Sequence, residues 1–191
     1  SEAADGAGRG AAVVFGVILG TGVGGGIVIH GRVLEGAQRV AGEWGHNPIP
    51  WPKEGERPGP SCYCGKQGCI ETYLSGPGLE RDHESTTGHT RSTYEIAEGI
   101  KSGDPDALEA FSRYVDRLAR ALATVVNVVD PDVVVLGGGM SNLPDLASAT
   151  RSALPTWVFT DEVSTRVVLN QHGDSSGVRG AAWLWPEPDG G

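Results

Sequence analysis

The sequence predicts an α/β lobe: a β-meander followed by helices and a further buried strand, with a cysteine-bearing loop inserted between them. Three observations carry this expectation. A β-branched run at Val13–Leu19 leads through a glycine-rich turn into a second β-type run. One apolar stripe extends from Leu108 to Val129, and a short apolar run at Val133–Leu136 ends in three glycines. Strand-type and helix-type periods in one chain define a mixed-layer domain.

Val13–Leu19 (VVFGVIL) has the length and branching of a strand. Gly20-Thr21-Gly22-Val23-Gly24-Gly25-Gly26 follows, Ile27-Val28-Ile29 resumes β character, and Gly31-Arg32 turns into Val33-Leu34. The result is an antiparallel meander. From Ala41 to Cys69 the chain is turn-rich, with Pro48, Pro50, Pro52, Pro58 and Pro60. A loop of that length in a compact domain needs a function or a tie. Asp104-Pro105 starts a helix, Asp as N-cap and Pro in the first turn. Leu108, Phe111, Val115, Leu118, Leu122, Val125 and Val129 form its apolar stripe, and Asp130-Pro131 ends it. Val133–Leu136 is a buried-type strand, Pro144–Leu154 a shorter helix, Thr165–Leu169 a last strand and Val178–Trp185 a closing helix. The Pro/Gly tail after it, 186–191, is expected to be disordered.

Hydrophobic residues make up 39% and charged residues 20% of the 191, the balance of a globular protein. A formal net charge of −9 and a pI near 4.9 repel phosphate backbones and exclude nucleic acid as a partner of this lobe. No apolar run approaches the ~20 residues of a membrane helix, and no basic, apolar leader opens the chain at Ser1. Glycine stands out: 30 of 191 is more than double the usual ~7%, and the excess is clustered. Three cysteines within eight positions, Cys62, Cys64 and Cys69, suit a metal better than a disulfide framework. They also suit a reducing, cytoplasmic setting.

Four constellations carry chemistry. Gly20, Gly22 and Gly25 satisfy G-x-G-x-x-G, but no helix follows and no Gly-Lys-Ser/Thr occurs, so neither dinucleotide nor Walker A geometry applies. A hairpin tip needs one or two glycines; five among residues 20–26, with the Thr21 hydroxyl, favour backbone N–H groups gathered around phosphate oxygens. Gly137-Gly138-Gly139 follows a buried strand, where ligands sit in open α/β sheets. Close approach of a flat ring and tight strand–helix packing explain it equally well. Cys62-x-Cys64-x4-Cys69 with one imidazole completes a tetrahedral, structural Zn2+ site. His46, in the same loop, is the best of the five histidines for the fourth ligand. Glu43 and Glu71 flank that site; taken alone they read as solvated surface glutamates, but a pinned loop draws both toward one point, where they can accept hydrogen bonds from sugar hydroxyls.

Together GVILGTGVGGGI, AGEWGHNPIPW, CYCGKQGCIE, NVVDPDVVVLGGGMS and HGDSSGVRGAAWL resemble the C-terminal half of ROK-family sugar kinases over nearly the whole chain. EWGHNPIPW and CYCGKQGCIET are most similar to bacterial fructokinases within that family. The resemblance implies an actin-like/ribonuclease-H-like ATPase lobe over 1–185 with a zinc loop at 43–71, the N-terminal lobe lying outside this chain. It implies ATP and Mg2+, phosphates on Gly20, Thr21, Gly22, Gly24 and Gly25, and adenosine beside Gly137, Gly138 and Gly139. Sugar hydroxyls would meet Glu43, His46 and Glu71, with His46, Cys62, Cys64 and Cys69 on zinc. It also implies a homodimer, and a base aspartate upstream of Ser1; Asp5 does not match that motif. The expected reaction is phosphorylation of fructose to fructose 6-phosphate. Kinases for glucose, mannose or an N-acetylhexosamine share the same residues. The sugar-sensing lobe of a ROK-type repressor and a stand-alone binding module are the readings from other classes.

Overall fold

Val13–Leu19 forms the strand its composition predicts, and this strand, β1, lies at the middle of the sheet. The computed structural model describes residues 1–173 and 176–182. Within them the sheet has five strands in the order β3-β2-β1-β4-β5, where β2 is Val23–Ile29, β3 Arg32–Val33, β4 Val133–Gly137 and β5 Arg166–Leu169. The meander β1-β2-β3 is antiparallel, and β4 and β5 add in parallel on the other side. The helices are α1 (Glu2–Asp5), α2 (Ile70–Leu74), α3 (Gly76–Thr87), α4 (Thr93–Ser102), α5 (Pro105–Val129), α6 (Leu146–Ala153) and α7 (Ser176–Ala182). Among the described residues no helix is long and apolar enough to cross a membrane.

The strand alternation splits the core. Phe15, Val17 and Leu19 face α5 and the main cluster, whereas Val14, Val133 and Val135 pack against Ala3, Ala7 and Ala11 of the N-terminal segment. All five residues of β4 are buried, as befits a parallel strand covered on both faces.

Three expectations need correction. First, β2 begins at Val23, so the turn is confined to Gly20–Gly22. Gly24, Gly25 and Gly26 are ladder residues, paired with Ile18, Val17 and Gly16. At Gly25 the reason for glycine is a close approach: a Cβ on Gly42 would lie 2.5 Å from the Gly25 carbonyl oxygen, whereas Gly24 and Gly26 have open space over their α-carbons. The incoming loop thus passes over β2 backbone to backbone. Second, helices α2, α3 and α4 fill residues 70–102, which the sequence left without named elements. Ser75 caps α3, and Ser92 with Glu95 forms a reciprocal capping box on α4. Third, α5 has its expected span, with Asp104 as N-cap, but its buried face is rotated from the expected stripe. Leu108 is exposed, and Phe111, Val125 and Val129 lie at the margin. The face runs through Ala107, Ala110, Tyr114, Leu118, Ala121 and Leu122, where small side chains let α5 approach its neighbours closely. The strand at 166–169 and the helix at 146–153 fall within their expected ranges. Residues 183–185 of the expected closing helix, and the tail, lie outside the described residues.

Candidate functional site

Two short antiparallel bridges, Pro48 with Cys69 and Ser61 with Gln67, fold the loop back on itself. They bring His46 to the cysteines. The ligand atoms of His46, Cys62, Cys64 and Cys69 all lie within 4.8 Å of one another. Cys62 Sγ is 3.5 Å from His46 Nδ1, and Cys64 Sγ is 3.6 Å from Cys69 Sγ. A tetrahedron with ~2.3 Å zinc–sulfur bonds has sulfur–sulfur edges of roughly 3.8 Å. The four residues therefore fit a zinc ion in kind and in spacing. Burial, reinforced by the neighbouring thiols, pushes the Cys69 thiol up to about 12. Its thiolate needs a cation beside it.

With Nδ1 turned toward the sulfurs, the ring proton of His46 belongs on Nε2, which lies 2.9 Å from the Tyr63 hydroxyl. Tyr63, between two of the cysteines, stands edge-on to His46 with ring centroids 5.1 Å apart. The negative charge of Glu71, then partial desolvation and the charges of Cys62, Glu43 and Cys64, raise its phenol above the ordinary value. Both candidate sugar carboxylates thus act on the space beside the cluster. Glu71 Oε2 also accepts the Val23 N–H at 2.9 Å, at the start of β2.

The loop is held a second time, away from the cysteines. Glu56, only 7% exposed, accepts from Arg117 Nε at 2.8 Å and from Arg120 Nη1 and Nη2 at 2.9 Å each. Arg120 also donates to the Pro50 and Trp51 carbonyls, and Arg117 to Asp82 of α3. Burial works against the Glu56 carboxylate, but hydrogen bonds from Arg120 and Arg117 hold it down to about 2. Nothing in the residue pattern marks this cluster.

Between the Gly20–Gly22 turn, the start of α3, α4 and the 139–143 turn lies a cavity of 710 Å³. That size suits a nucleotide. Gly20 and Thr21 line one side, Gly139, Met140 and Leu143 another. Glu80, Thr93, Tyr94, Glu98 and Lys101 complete the wall, and sequence reasoning missed all five. The Ser92-x-x-Glu95 capping signature was the available signal for α4. Glu80 is already committed, accepting from the Thr93 N–H and hydroxyl at 2.8 Å each. The α3 terminus contributes its dipole rather than free donors, since the Gly76 N–H goes to the Gly20 carbonyl and the Gly78 N–H to Ser75.

The glycines divide by role. Gly20 and Gly139 have open space over their α-carbons and face the cavity. Gly22 lies beneath the Glu71 carboxylate. Gly24 and Gly25 are in the β2 ladder, and Gly137 ends β4 beside Asn170. Gly138, at φ 84°, passes so near β1 that a Cβ would sit 2.4 Å from the Leu19 carbonyl oxygen. Packing explains Gly138; the cavity explains Gly139. Asp5 is tied to His172 Nε2 at 2.7 Å and to Arg179, fastening the N-terminal segment to the region after β5.

A meander extended in parallel by β4 and β5, with a glycine turn after β1 and another after β4, defines an actin-like ATPase lobe. The ROK family model matches residues 1–188, and the chain belongs to the ROK family. It is 40% identical over 193 residues to the N-acetylgalactosamine kinase AgaK of Shewanella sp. (strain ANA-3), covering 100% of this chain and 63% of that one. It is 41% identical over 188 residues to the N-acetyl-D-glucosamine kinase of Vibrio cholerae, covering 96% and 62%. Among solved structures, the ROK glucokinase of Streptomyces griseus with glucose and AMPPNP superposes with a TM-score of 0.83 at 30% identity, covering 96% of this chain and 63% of that one. The chain spans less than two thirds of the length of each of these relatives. The curated relatives named here are N-acetylhexosamine kinases, so the preference for fructose is corrected. The wording around Glu43, His46 and Glu71, on which that preference rests, does not separate one hexose from another.

Proposed function

We propose that this chain is the nucleotide- and sugar-binding lobe of an ATP-dependent N-acetylhexosamine kinase, phosphorylating the 6-hydroxyl of N-acetylglucosamine or N-acetylgalactosamine. One observation carries the reading: the Glu71 carboxylate, beside the metal cluster, bonds directly to the strand that follows the Gly20–Gly22 turn. A hydroxyl held at Glu71 therefore stands next to a backbone turn open to the nucleotide cavity. The hydroxyl oxygen attacks the γ-phosphorus, ADP leaves, and the hydroxyl proton passes to a base. The reading assigns that base to an aspartate outside residues 1–191. Glu43, Glu71 and His46 orient the sugar; Gly20, Thr21 and Gly139 border the nucleotide; Mg2+ offsets phosphate charge. His46, Cys62, Cys64 and Cys69 would hold zinc, which stiffens the pocket wall. A thiolate cluster suits the cytoplasm. A homodimer belongs to the same reading, and Val128 and Phe159, 84% and 97% exposed, offer apolar surface for it.

The test is ADP release by the protein that carries this lobe together with the preceding portion, using N-acetylglucosamine, N-acetylgalactosamine, glucose and fructose. An N-acetylhexosamine should give the highest kcat/KM. Preference for fructose, or turnover of none, would overturn the reading.

A further inference from the structure

We infer that the Tyr63 hydroxyl, in the sugar-free protein, occupies the seat of the sugar hydroxyl that His46 Nε2 receives, so that sugar binding displaces it. The inference rests on the sugar pocket proposed above. Nδ1 of His46 faces Cys62 Sγ, which leaves Nε2–H as the ring donor available to a ligand. That donor is already engaged, at 2.9 Å, by the Tyr63 hydroxyl.

Tyr63 is poorly anchored for a residue lying between two metal ligands. It is 84% exposed, and its ring contact is the edge of His46. Large apolar side chains exposed to that degree gain little from burial, so its packing does not require the position. The chemistry of the hydroxyl supplies the reason. A phenol, like a sugar hydroxyl, accepts one proton and donates another. The Tyr63 hydroxyl accepts from Nε2 at 2.9 Å and keeps its own proton to donate. An incoming sugar hydroxyl offers the same acceptor. Meanwhile Tyr63 keeps the His46 ring oriented and its donor satisfied while the pocket is empty.

Displacement exchanges one exposed, neutral hydrogen bond for another, an effect worth about two- to tenfold in affinity. In Tyr63→Phe the seat is free. KM for the preferred N-acetylhexosamine should fall about two- to tenfold, with kcat and KM for ATP unchanged and zinc content retained. Calorimetric titration with the same sugar should show the same gain without turnover. An unchanged or higher KM would overturn the inference, since Tyr63 would then be a bystander or a direct sugar contact. Loss of zinc from Tyr63→Phe would overturn it as well, by showing a strut of the metal loop. Wild-type protein that turns over an N-acetylhexosamine while Tyr63→Phe shows no change removes this inference alone. Wild-type protein that neither binds nor phosphorylates the sugar removes the proposed function with it.

Discussion

The loop between Glu43 and Glu71 is fixed in two places by unlike means. At one, the ligand atoms of His46, Cys62, Cys64 and Cys69 converge within 4.8 Å. At the other, Glu56 is clasped by Arg117 and Arg120 of α5. The Cys/His cluster is local, Cys62 lying 16 residues from His46 and Cys64 five from Cys69, whereas Glu56 reaches across 61 and 64 residues. A local cluster leaves its spacing in the sequence. A distant one leaves only an ordinary glutamate and two ordinary arginines. The two attachments also differ in reach: one ties the loop to itself, the other fastens it to the helical layer.

Removing the metal attachment should have the largest effect, because structural zinc typically contributes ~10 kcal/mol or more to its fold. Elemental analysis after dialysis should find one zinc per chain, and Cys64→Ser should lose it, with faster proteolysis between 52 and 68. Zinc retained by Cys64→Ser, or a metal-free disulfide in the wild type, would break the comparison at its first term. Removing the ionic attachment should rank second. Arg120→Ala leaves Glu56 buried with one arginine, a loss of about 3–5 kcal/mol, read as a lowered denaturant midpoint with zinc content unchanged. A loss below ~1 kcal/mol would reduce the cluster to the standing of a surface ion pair.

The smallest effect sharpens the second term. The folded state holds the Glu56 carboxylate at about 2, against an ordinary 4.5. Its stabilising contribution is therefore full above pH ~4.5 and is lost as the pH falls toward ~2. The stability difference between wild type and Glu56→Gln should narrow over that window, measured by denaturant unfolding at each pH. A constant difference would show that Glu56 contributes by shape rather than charge.

The same contrast accounts for what could be read in advance. β1, the span of α5 and the cysteine site were legible because each is written in adjacent residues. The five glycines after Leu19 read as one turn, because a glycine needed for close backbone passage looks the same as a turn glycine; Gly25 against Gly42 is such a passage. The larger side chains of α5, Leu108 and Phe111, suggest one stripe, while alanines mark the face that packs. Helices α3 and α4 carry few apolar residues; Leu79 and Ile96 are their buried large aliphatics. Their capping residues were the stronger signal. Gly138 and Gly139 are neighbours with opposite duties, and only the path of Leu19 separates them.

Trp51 belongs to the loop and Trp157 to the segment after α6, yet their rings stack 5.5 Å apart at 24°. Lys53 and the buried Arg120 each lie 6.0 Å from the Trp157 ring. Two indoles held this close couple their electronic transitions, and nearby cations perturb them further. The loop thus carries its own optical signature in near-ultraviolet dichroism and tryptophan emission. Its seating on the helical layer can be followed by light alone, without substrate, nucleotide or turnover.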